Sequence, residues 1–114
     1  MGILPIYGGL LVKHITISQL RERIQKEELT ILDVRSQNEW SSGHIEGSIN
    51  ISVNNLMSNK NKIPVDKPIV VICRSGSRSN LAAMMLDKLG KHSIYNVPAG
   101  VSGWKRSSFP LVTS

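Results

Sequence analysis

Two short, almost unbroken apolar runs constrain this chain more than any other feature: LTILDV at residues 29–34 and PIVVIC at residues 68–73. A strand with one wet face alternates apolar and polar residues. A strand that is apolar at nearly every position is buried on both faces, which is the pattern of a parallel sheet covered by helices. PIVVIC is the more strand-like of the two, and Pro68 suits the first position of a strand because it has no N–H to donate. HITI (14–17), SINI (48–51) and SIYNV (93–97) read as further short strands. Between them lie helical patterns. Leu20 and Ile24 fall four apart on one face of QLRERIQKEE, with Ser18 as the expected N-cap. Ala82, Met85, Leu86 and Leu89 mark a second helix over 79–89, with Gly90 where a terminating glycine belongs. VNNLMSNKNK is expected to hold one short helix, and SQNEWSSGHIEG reads as a polar, turn-rich connection. The alternation gives an α/β class: a mainly parallel central sheet of about five strands, flanked by helices on both faces.

A length of 114 residues suits one domain that buries a core without metal or disulfide staples. Residues 1–13 are apolar but broken by Pro5, Gly8 and Gly9. They are too short for a membrane span and lack the positive start of a signal peptide, so they read as an arm or a domain boundary, with the domain proper at 14–114. The single cysteine excludes an internal disulfide and points to a reducing, cytoplasmic setting. The net charge of +6 favours anionic partners. That charge is spread along the chain and aromatics make up only 4% of it, so a small anion fits better than a nucleic acid. No membrane partner is expected.

Cys73 ends the most strand-like run, and ligands of open α/β sheets sit beyond the carboxyl ends of strands. The loop behind it, RSGSR, is short, polar and glycine-containing. Such a loop can turn its backbone N–H groups inward as an anion nest. The following helix adds its positive end, and Arg74 and Arg78 add full charges. Each feature favours a thiolate, so the thiol is expected well below its free value of about 8.5. The alternative, an inert cysteine in an apolar pocket, fits poorly with flanking arginines and serines. There is no second cysteine to resolve a disulfide, so any thiol partner comes from outside the chain. Of His14, His44 and His92, only His44 lies in a polar turn near this edge, where it is expected to order the turn by hydrogen bonding. No metal-ligand spacing and no nucleotide-binding P-loop are present. Two readings of Cys73 remain: a thiolate that carries sulfur, or one that attacks phosphate.

Three blocks resemble the rhodanese-like domain family of sulfurtransferases across about residues 14–111: ILDVRSQNEWSSGHIEGSINI, VVICRSGSRS and VPAGVSGW. The resemblance implies a single-domain thiosulfate sulfurtransferase. In it, Cys73 takes sulfur from thiosulfate or another small anionic sulfur donor and holds it as a covalent persulfide. The sulfur then passes to cyanide or to an external thiol such as glutathione, a thioredoxin-like protein or another protein thiol. No other cofactor is implied. Arg74, Ser75, Gly76, Ser77 and Arg78 match the loop around the persulfide, with Arg78 the foremost anion contact. Arg74 faces either a partner or solvent. Asp33 and Arg35 match the family's Asp-x-Arg block as scaffold, with Arg35 a secondary substrate candidate. Glu39 and His44 support the neighbouring turn, and Trp104 packs in the core beneath the site. Related phosphatases carry a loop one residue longer than the six residues from Cys73 to Arg78, which leaves phosphatase activity as a minor alternative. A non-catalytic domain, fused to or docked on another sulfur-metabolism protein, is the other. The family's paired glycines appear here as Ala99-Gly100, which would strain Ala99 if that position needed a positive φ.

Overall fold

The structure is a computed structural model and describes residues 6–7, 10–91 and 93–114. Most of the expected N-terminal arm and His92 lie outside that set. Strands β1 (Ile6–Tyr7) and β2 (Leu10–Leu11) form a small antiparallel pair. The main sheet comprises β3 (Lys13–His14), β4 (Thr30–Asp33), β5 (Ile49–Asn50), β6 (Ile69–Ile72) and β7 (Ile94–Asn96). Its order is β3-β7-β6-β4-β5 and every neighbouring pair is parallel. The helices are α1 (Ile17–Gln25), α2 (Gln37–Ser42), α3 (Ser77–Lys88) and α4 (Gly100–Arg106). The chain runs outward from β4 to β5, then returns to the central β6. Loops leaving β4 and β6 therefore part company at their carboxyl ends, and a crevice opens there.

The apolar runs become strands covered on both sides. On one face Ile31, Val70 and Ile72 pack with Leu20 of α1 and with Val101 and Trp104 of α4. On the other, Leu32, Ile69 and Val71 pack with Ala82, Ala83 and Leu86 of α3 and with Leu56 and Ile63. All of β6 is buried.

Local chemistry moved several expected boundaries. Thr16, rather than Ser18, caps α1: its hydroxyl accepts from the N–H of Gln19 at 3.1 Å, and the Gln19 side chain accepts from the N–H of Thr16 at 2.8 Å. This reciprocal capping box starts the helix at Ile17 and shortens the preceding strand to Lys13–His14. Residues 53–62 form two 3₁₀ segments, Val53–Asn55 and Met57–Lys62, rather than one helix. There the side chains of Ser58 and Asn59 donate to the carbonyl of Asn55, in competition with regular helical bonding. Helix α2 occupies a stretch expected to be a turn-rich connection, and α4 a stretch to which the sequence assigned no element. Gly90, at φ 81°, does end α3, with the N–H of Gly90 on the carbonyl of Asp87 and that of Lys91 on Leu86.

The Ala99-Gly100 departure proves harmless. Ala99 has φ −71°, within the helical region. The left-handed residue is Gly100, at φ 62°, where a Cβ would collide with the carbonyls of Arg74 and Cys73. Gly100→Ala should therefore cost more than about 2 kcal/mol in urea denaturation, whereas Ala99→Gly should cost no more than about 1 kcal/mol.

Candidate active site

Cys73 lies one residue beyond β6, at its carboxyl end, with 1% of its surface exposed. Its Sγ accepts hydrogen bonds from the N–H groups of Gly76 at 3.1 Å and Ser79 at 3.3 Å. The Ser79 hydroxyl stands 3.3 Å away. The loop curls this tightly because Gly76 adopts φ 100°, in a place where a Cβ would lie 2.6 Å from the carbonyl of Pro98. Its carbonyls are drawn outward by α4: Val101 donates to Cys73 at 2.8 Å and Ser102 to Arg74 at 3.0 Å.

Burial pushes the Cys73 thiol up, but the hydroxyl of Ser79 and the N–H groups of Ser79, Ser75 and Gly76 together outweigh it. The thiol lies below its ordinary value, as the sequence led us to expect, but the cause differs. Short, direct hydrogen bonds achieve it, while the two arginines stand further back. Arg74 is exposed. Arg78 gives its two terminal nitrogens to Glu39, at 2.7 and 3.0 Å. That pair engages two of the five N–H donors of the guanidinium. That guanidinium, with help from Ser36 and against burial, lowers Glu39 from 4.5 to about 2. Glu39 also closes a capping box with Ser36, so it joins the start of α2 to the start of α3.

Arg35 and Asp33 form a buried pair, 6% and 1% exposed. The guanidinium donates to Asp33 at 2.8–3.1 Å and to the carbonyl of Gly43 at 2.7 Å. The Arg35 guanidinium is thus engaged with Asp33 and Gly43 in the interior. Asn50 adds bonds to the carbonyls of Asp33 and Arg35. His44 orders its turn as anticipated: Nδ1 lies 2.7 Å from the carbonyl of Trp40, and the two rings stack at 3.7 Å. Trp104 is buried in the core of α4 and donates to the carbonyl of Pro110. The side chains of Ser75 and Ser77 are exposed, and of the two it is the backbone N–H of Ser75 that acts on the thiol.

A family model described as "Rhodanese-like domain" matches residues 16–107. The chain belongs to this family. Among relatives, the thiosulfate sulfurtransferase GlpE of Shewanella oneidensis is 31% identical over 96 residues, covering 84% of this chain and 95% of that protein. The uncharacterized protein YqhL of Bacillus subtilis is 37% identical over 99 residues, covering 87% and 77%. A crystal structure of a rhodanese-related protein from Thermoplasma volcanium superposes with a TM-score of 0.83 at 34% identity, covering 90% and 99%.

Two polar residues of this rhodanese-like domain escaped the sequence reading. Ser79 was seen only as a helix start, yet its side chain is fully buried against Cys73. Asn96, on β7, accepts from the Ser79 hydroxyl. An asparagine inside the apolar strand SIYNV was the available signal for the latter. Among the described residues no cluster of three His, Cys, Asp or Glu could hold a metal ion. No helix there is long and apolar enough to cross a membrane.

Arg35→Ala should destabilise the fold by about 3 kcal/mol or more, because it strands the buried Asp33 charge. Arg74→Ala should stay within about 0.5 kcal/mol, both measured by urea denaturation. Glu39 has a depressed folded pKa, so its contribution to stability is present above 4.5 and is lost as pH falls towards about 2. Glu39→Gln should flatten the acid limb of Tm against pH across that window.

Proposed function

We propose that this domain is a sulfurtransferase working through a Cys73 persulfide. The observation that carries the proposal is the ring of N–H donors on a buried, pKa-lowered sulfur in a chain with one cysteine. The thiolate attacks the outer sulfur of thiosulfate or of a persulfide donor. A new S–S bond forms as the donor's S–S bond breaks, and sulfite, or the donor's thiolate, leaves with the electron pair. An external thiolate then attacks the outer sulfur, departs as a persulfide, and returns the electron pair to Cys73. In both steps charge appears on Sγ or leaves it, and the N–H groups of Ser75, Gly76 and Ser79 are fixed in advance to meet it. The activity named for the GlpE relative supports this reading. A groove of about 740 Å³, lined in part by Asn54, Asn55, Lys62 and Arg78, shares Arg78 with the site but not Cys73, and gives room for the body of a thiol acceptor.

The phosphatase alternative is weaker on two counts. The nearby acids Asp33 and Glu39 are both ion-paired, which leaves neither free to protonate a leaving group. The arginine that would clamp a phosphate already gives a donor from each terminal nitrogen to Glu39.

Incubation with thiosulfate should add the mass of one sulfur atom, reversed by cyanide and absent in Cys73→Ser. Intact-mass spectra without an adduct from either thiosulfate or glutathione persulfide, together with turnover of an aryl phosphate, would overturn the assignment.

A further inference from the structure

The Ser79 hydroxyl has one hydrogen and three acceptors around it. The carbonyl of Gly76 lies at 3.1 Å, Cys73 Sγ at 3.3 Å, and the side-chain carbonyl of Asn96 closer than either. All four groups are in buried residues, where an acceptor left without a donor is costly. The Asn96 amide is oriented from behind: its Nδ2 faces Nδ1 of His14, at 3.5 Å, which turns the carbonyl oxygen to Ser79. The backbone of Asn96 is held in the sheet, where its carbonyl accepts from Ile15 at 3.0 Å.

We propose that Asn96 is a positioning residue for Cys73: its side-chain carbonyl competes with the sulfur for the Ser79 hydrogen and so sets how readily Cys73 carries negative charge. With Cys73 neutral, the S–H donates to the Ser79 oxygen and Ser79 donates to Asn96. On ionisation the thiol proton leaves to solvent, the Ser79 hydroxyl rotates to Sγ, and the Asn96 carbonyl loses its donor. No proton is exchanged between Ser79 and Asn96. When Sγ is consumed in a bond to a second atom its charge is gone, and the hydroxyl returns to Asn96. Asn96 thus opposes the thiolate and favours the next state. The inference rests on Cys73 as the nucleophile, but not on what it attacks.

Other titratable or charged groups around this part of the fold are Arg74 in the loop, Arg78 of α3 with Glu39 of α2, the Asp33–Arg35 pair at the end of β4, and His14 of β3 behind Asn96. The variants below leave all of them in place.

The test is the pH dependence of Cys73 alkylation by iodoacetamide, which reads the thiolate without any sulfur donor. Asn96→Ala should lower the midpoint by roughly 0.5 unit, since the competing acceptor is gone. Asn96→Leu, which fills the space without an acceptor, should shift it the same way. Asn96→Asp strengthens the pull and adds charge, and should raise the midpoint. Ser79→Ala should raise it too, and in that background Asn96→Ala should have no further effect. An upward shift or no shift in both Asn96→Ala and Asn96→Leu, with the folded circular-dichroism spectrum retained, overturns the proposal. So does an equal shift with and without Ser79. Failure of sulfur transfer with these shifts intact would instead count against the proposed reaction.

Discussion

The contact on which the site depends is the docking of the α4 N-terminus against the outside of the Cys73 loop. A peptide unit cannot point its carbonyl and its N–H to the same side. Once Val101 and Ser102 hold the carbonyls of Cys73 and Arg74 outward, the loop's later N–H groups are left free to converge on Sγ. The approach is so close that Gly100 has no room for a side chain, and Gly76 is pressed as closely on Pro98. Trp104 and the core around it matter to chemistry because they keep α4 in that position.

Around this contact the charged residues serve as struts. Asp33–Arg35–Gly43 ties the end of β4 to the end of α2, and Glu39–Arg78 ties the start of α2 to the start of α3. The first is buried and the second partly open. Neither supplies the main pull on the thiol. The site activates its sulfur with the Ser79 hydroxyl and with backbone N–H dipoles, and the dipoles need no reorganisation when charge appears.

The strands that carry the site, β4 and β6, were legible because each lies in a run apolar at nearly every position. The loop was legible because glycine, serine and arginine around a lone cysteine have few other uses. α2 was not, because its six residues bury none of their number, so no apolar periodicity marks it, although the Ser36–Glu39 spacing spelled out its capping box. α4 was hidden by its own glycines: local preference argues against a helix in GVSGWKR, and only the crowded surroundings, where a Cβ on Gly103 would lie 2.5 Å from Ala99, require them. The Ser79–Asn96 bond joins residues 17 apart on different elements, a pairing that no local pattern encodes.

The burial of Cys73 has a consequence for selectivity. A sulfur with 1% of its surface open cannot be approached broadside. It favours slender reagents over bulky ones, and a terminal sulfane sulfur is offered at the tip of its donor. A sulfur atom added to it would place the reactive atom about 2 Å further out. The 1% exposure of Cys73 thus disfavours bulky oxidants by shape alone, and under the proposed reaction the loaded sulfur would be the more accessible centre.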